Sequence, residues 1–188
     1  METIKIMILG ASNVGKFSVA KSYFDIEWTD KLDSIGHQTF DGKFTLQNGT
    51  QIKILLNVLY GMQRFPSAIL NAKKMADGAI LLFDLTNKNS FKIITDYLEK
   101  LNITHNDLQE FALAILGNKC EDEAKYQISS EVVEQFANGI GIPYFRVSAE
   151  KKIGIEEAIR NIVEAAYANR HPNQVPNQVP NQAPNQNP

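Results

Sequence analysis

Residues 10–19 read GASNVGKFSV, a glycine separated by four residues from Gly15-Lys16. That spacing suits a bound polyanion. Backbone N–H groups of Asn13, Val14, Gly15, Lys16, Phe17 and Ser18 can turn inward on phosphate oxygens, and a helix N-terminus behind them adds partial positive charge. Gly10 and Gly15 allow close backbone approach, and Lys16 brings a point charge for β- and γ-phosphates. In the full pattern G-x-x-x-x-G-K-[ST], a hydroxyl after the lysine holds the magnesium ion of a bound nucleotide. Here that position is Phe17. Ser18 is no substitute, because the next helical residue is turned by about 100° round the axis. An ordinary strand–turn–helix junction containing Gly-Lys is the alternative reading.

Such a loop needs a strand before it and a helix after it. TIKIMIL (3–9) reads as a buried strand, and a helix is expected from about Gly15 to Phe24. HQTFDGKFTLQ and TQIKILLNVL flank Asn48-Gly49, a strong hairpin signal. The second of these strands is nearly all apolar, which predicts cover on both faces. A helix over roughly 63–74, a strand over 78–85, a helical repeat in SFKIITDYLEKL and a strand over 111–117 follow. SSEVVEQFANG carries a capping-box pattern from Ser130 to Glu134 and a stop at Asn138-Gly139. PYFRVS and GIEEAIRNIVEAAYANR supply the last strand and helix. This alternation predicts an α/β three-layer domain with five parallel-type strands and one antiparallel hairpin partner, its ligand at the carboxyl ends of the strands.

The 188 residues, 44% hydrophobic and 21% charged, suffice for one domain with a core. A net charge of −2 gives no basic footprint for nucleic acid. The single cysteine, Cys120, leaves no disulfide framework and no cysteine-based zinc site, and it suits a reducing, cytoplasmic setting. His37, His105 and His171 share no ligand spacing. No stretch approaches the ~20 apolar residues of a membrane-spanning helix. From Asn173 the chain repeats N-Q-x-P, with regular prolines and no core formers. Residues 1–170 are therefore expected to form the domain and 171–188 a disordered, partly polyproline-II tail. A docking role for the tail is the alternative.

Taken in order, five segments resemble the Ras-like small GTPases, closest to their Rab branch: GASNVGK, SIG (34–36), YGMQRF (60–65), GNKCED (117–122) and VSAE (147–150). GAILLFDLTNKNSF adds to the likeness, which covers about residues 3–170. The resemblance implies a P-loop G domain with a six-stranded, mostly parallel sheet, one antiparallel hairpin strand and helices on both faces. It also implies GTP or GDP as ligand, with Mg²⁺ as its usual companion.

Carried over position by position, the resemblance gives Asn118 to the base and the loop brace. Lys119 would lay its stem along the ring, and the N–H groups of Ser148 and Ala149 would meet the guanine oxygen. Glu121 stands where an aspartate accepts two hydrogen bonds, one methylene too long, with Asp122 in reserve and a solvated acidic loop as the alternative for both. Trp28 falls where an aromatic edge meets the base, unless it is a core or surface tryptophan. Ser34 is the remaining candidate for the metal, against a plain loop serine. The family's metal-holding aspartate falls on Val58, with Asn57 turned to the opposite strand face. Met62 occupies the water-positioning place, where a thioether cannot both donate and accept, and Gln63 is the reserve. No residue is assigned as catalytic.

The expected function is a guanine-nucleotide-binding domain with weak magnesium binding and little hydrolysis, acting as a protein-binding module in vesicle-traffic-type signalling. One alternative is a slow but genuine GTP-hydrolysing switch using Ser34 and Gln63, and another is a nucleotide-free scaffold. An effector or regulator would be met through Ile35, Gly61, Met62, Gln63, Arg64 and Phe65. NQNP at the C-terminus carries no cysteine for a prenyl group, so a direct lipid anchor is not expected. The expected location is cytoplasmic, with any attachment to endomembranes made through a partner.

Overall fold

A computed structural model describes residues 1–25, 36–60, 65–104 and 107–172. Six strands and five helices alternate: β1 (Thr3–Gly10), α1 (Lys16–Phe24), β2 (Gly36–Thr45), β3 (Gln51–Tyr60), α2 (Pro66–Lys74), β4 (Gly78–Asp84), α3 (Lys88–Lys100), β5 (Ala112–Asn118), α4 (Ser130–Ile140), β6 (Tyr144–Arg146) and α5 (Ile155–Arg170). They build one sheet in the order β2-β3-β1-β4-β5-β6, in which only β2 and β3 pair antiparallel. This is the expected α/β fold. Because β1, β3, β4, β5 and β6 run the same way, their carboxyl ends share one edge. The chain leaves β1 toward β3 and later crosses to β4 on its other side, so the loop after β1 opens at a topological switch point.

Side-chain alternation explains the layers. Ile4, Ile6 and Ile8 of β1 join Val19 and Ala20 of α1 and Ile155, Ile159, Ile162 and Val163 of α5 in one buried cluster. Met7 and Leu9 of the same strand face the opposite cluster, with Ile69 of α2, Ile94 and Tyr97 of α3 and Val133 and Ala137 of α4. A period of two in the strand therefore feeds two separate cores.

Four local expectations are corrected. Cover of β3 is one-sided over most of its length: Ile52, Ile54, Leu56 and Val58 are buried, whereas on the other face Lys53, Leu55 and Asn57 are half-exposed and only Leu59 is buried. The half-open face is used by polar cross-strand pairs instead, Lys53 to Asp41 at 2.8 Å and the Thr39 hydroxyl to Asn57 Oδ1 at 2.7 Å. The cap of α4 is Ser129, whose hydroxyl accepts from Val132 N at 3.4 Å, not Ser130. The helix passes Asn138-Gly139 and stops at Gly141, whose left-handed φ of 70° suits a glycine C-cap. α3 begins two residues before the expected Ser90, because Asn87 caps it by accepting from Asn89 N at 3.1 Å.

Candidate functional site

The loop from Ala11 to Gly15 turns back on itself through left-handed residues, Asn13 at φ 64° and Gly15 at φ 94°. Gly15 also has no room for a side chain: a Cβ there would lie 2.3 Å from Asn118 Nδ2. Val19 is the first α1 residue whose N–H finds a partner, the Gly15 carbonyl at 2.9 Å. The N–H groups of Asn13 to Ser18 donate to no acceptor among the described residues. A row of amides without acceptors at a helix start is costly alone and is the kind of place an anion suits.

Lys16 sits in the same cradle and is buried. Its Nζ donates to the carbonyls of Gly10 (3.0 Å) and Ala11 (2.7 Å), and the Tyr97 hydroxyl donates to the same Gly10 carbonyl at 3.3 Å. Burial disfavours the ammonium and lowers the Lys16 pKa to about 8. The site thus stores one partly desolvated cation beside a set of amides that have no acceptor among the described residues.

Two further loops meet this one. Asn118, the last residue of β5, is buried; its Nδ2 donates to Val14 O at 2.9 Å and its Oδ1 accepts from Ala149 N at 3.1 Å. One side chain thus ties the anion loop to both candidate base loops. Lys119 has a left-handed φ of 66° and its Nζ lies 2.6 Å from Asp84 Oδ2. The Ser148 N–H donates to Ile153 O at 3.0 Å, so both N–H groups assigned to a base oxygen already have protein acceptors. Glu121 is exposed, and Asp122 pairs with Lys125 at 2.8 Å.

On the other side of the cradle, the Phe17 ring packs on the edge of the α1–α5 core and against Tyr60, with centroids 5.3 Å apart at 56°. Val58 is fully buried in that core. Phe65 is 46% exposed and caps α2 ahead of Pro66. Trp28, Ser34, Ile35, Gly61, Met62, Gln63 and Arg64 lie outside the described residues.

Sequence reasoning missed Asp84 and Tyr60. Asp84 was legible as the one charged residue ending an otherwise apolar strand. Tyr60 was legible only once Phe17 was known to need a partner.

Residues 5–168 match the Ras family. Among curated relatives, "Ras-related protein Rab-3A" of Homo sapiens is 30% identical over 160 residues, 85% of this chain and 72% of the relative. "Ras-related protein RabJ" of Dictyostelium discoideum is 30% identical over 167 residues, 89% of this chain and 64% of the relative. "Ras-related protein Rab-3C" of Mus musculus is 28% identical over 160 residues, 85% and 70% of the two chains.

Proposed function

The chain belongs to the Ras family of small GTPases, close to Rab, and we propose that it is a magnesium-poor, hydrolytically feeble member of that family. Guanine-nucleotide binding and contact with effector or regulator proteins come with the family. The further reading is that the nucleotide is held chiefly by backbone amides and Lys16, with the divalent ion contributing little.

The fit of the implied ligands supports this. A nucleotide's phosphates suit the free N–H groups of Asn13 to Ser18 and the Lys16 ammonium. A bound Mg²⁺ would supply charge neutralisation between phosphates, and it demands oxygen ligands in near-octahedral array. At the two positions that answer for it here stand an aromatic ring packed on Tyr60 and a fully buried valine. The Phe17–Tyr60 pair is the observation that carries the proposal: the first turn of α1 presents carbon where the family presents a hydroxyl.

Hydrolysis adds a second demand, a group that orients the attacking water. Met62 has no donor and is a weak acceptor. Intrinsic turnover in Ras itself is only on the order of 10⁻⁴ s⁻¹. Losing ion anchors and the water-positioner from that baseline leaves a domain that holds nucleotide as a near-static element. We assign it to protein binding in vesicle-traffic-type signalling, on its likeness to Rab proteins.

The test is nucleotide release with and without EDTA, followed by single-turnover hydrolysis on preloaded protein. EDTA is expected to leave the release rate nearly unchanged, and hydrolysis to fall below ~10⁻⁴ s⁻¹. Strong acceleration by EDTA, or turnover at the ordinary family rate, refutes the proposal.

A further inference from the structure

We propose that Asp84 is a positioning residue for base recognition, acting through Lys119. Asp84 closes β4 opposite Asn118, its register partner at the end of β5. Its side chain is 8% exposed, and a buried charge persists only if paired and hydrogen-bonded. It is both. Oδ1 accepts from Thr86 N at 2.8 Å and from the Thr86 hydroxyl at 2.7 Å, while Oδ2 faces Lys119 Nζ at 2.6 Å.

The pairing divides Lys119 into two parts. Its head is pinned under the strand ends, and its side chain remains 39% exposed, which leaves the stem at the mouth of the site. A pinned stem is a fixed apolar platform for the face of a planar base. Its backbone is left-handed, a strained choice for lysine, so something must hold it. The Asp84 carboxylate does so from the side chain. Leu85 N donating to Asn118 O at 3.0 Å, and Gln127 N to Leu85 O at 2.9 Å, do so from the backbone. Among the described residues the Asp84 carboxylate bonds only Thr86 and Lys119 and no group of the phosphate cradle, so its effect is expected to fall on the base.

That confinement makes the test. Asp84→Asn keeps an acceptor for Thr86 and removes the charge that holds Lys119. The full-length chain and this variant are titrated calorimetrically with GDP and, separately, with inorganic tripolyphosphate. We expect GDP affinity to fall about tenfold, a loss moderated by the partial exposure of Lys119, with tripolyphosphate affinity unchanged. Asp84→Glu, which keeps the charge, retains more GDP affinity than Asp84→Asn. In a Lys119→Met background the Asp84→Asn change has no further effect on GDP.

Equal weakening of both probes would show a merely structural role and overturn the proposal. So would unchanged GDP affinity, or an undiminished effect in the Lys119→Met background. The role rests on guanine-nucleotide binding and not on the magnesium reading. A strong EDTA effect on release would defeat the latter and leave this result standing.

Discussion

Lys16 offers the sharpest quantitative check, because one buried amine couples anion binding to pH. In the free protein its pKa is lowered from 10.5 to about 8 by burial, with two carbonyls as its only hydrogen-bond partners among the described residues. A phosphate brought against Nζ favours the charged form and raises the pKa toward its ordinary value. The sign follows from proton counting. Below pH 8 the amine is charged both free and bound, so affinity is flat. Above pH 8 the free amine is neutral and the bound one charged, so binding takes up a proton. Log affinity then falls by up to one unit per pH unit. Full restoration of the pKa would amount to about 3 kcal/mol between pH 8 and 10.5. The same depression destabilises the unliganded fold as pH falls from 10.5 to 8, with no further loss below that. Tripolyphosphate is preferred to GDP because it carries no guanine to ionise in this window, and its own last ionisation is common to both proteins and cancels in their comparison. Calorimetry in buffers of different ionisation enthalpy reads the proton uptake. A Lys16→Met variant is expected to lose the part of the uptake due to the amine and most of the affinity. Between pH 8 and 10, a proton uptake no greater than that of the methionine variant would refute the reasoning.

Replacing Phe17 by Ser and by Ala leaves the same gap beside Tyr60, and only serine returns an oxygen; GDP affinity in Mg²⁺ is expected to be about tenfold higher for Ser than for Ala and equal in EDTA, by analogy with single-group effects on metal sites. Both variants should lose about 1–3 kcal/mol in denaturant titrations, from the lost aromatic pair and partial burial. Gly15→Ala places a Cβ 2.3 Å from Asn118 Nδ2 at a left-handed φ, and should abolish measurable GDP binding in calorimetry. Ser129→Ala removes the α4 cap and should cost about 1 kcal/mol in thermal melts without changing GDP affinity.

The architecture was readable because each buried strand and amphipathic helix announces its period locally. Cover was harder to read. In β3 the run ILLNVL looks buried on both sides, yet on its second face only Leu59 reaches a core, and Leu55 and Asn57 stay half-exposed. Helix ends shifted where two capping residues stood side by side, as Ser129 and Ser130 do, and only backbone geometry chose between them. In the site, Lys16 was legible from the spacing of the glycine loop, and Asn118 from the resemblance of GNKCED to the family. The Tyr60 contact to Phe17 and the Asp84 contact to Lys119 were not, since each joins residues that only the sheet brings together.

A difference in what carries each task explains how one part of this site can change while another persists. In the proposed reading, phosphate cradling falls to main-chain amides held at Asn13 and Gly15, and almost any side chain can be hung on those amides without removing a donor. Phe17 keeps its N–H in the row although it has no hydroxyl. Ion coordination and water orientation are done by side-chain atoms, so a single substitution deletes them outright. The brace from Asn118 to Val14 O and from Ala149 N to Asn118 then has its own reason to be kept, because it holds the cradle's shape whether or not an ion is present. On this argument Asn118→Ala should harm nucleotide binding more than any change at Phe17. It strips the partners from a buried carbonyl and a part-buried N–H, at about 1–3 kcal/mol each. A GDP affinity that survives Asn118→Ala and collapses in Phe17→Ala would reverse that ranking, and with it the view that the backbone does the holding.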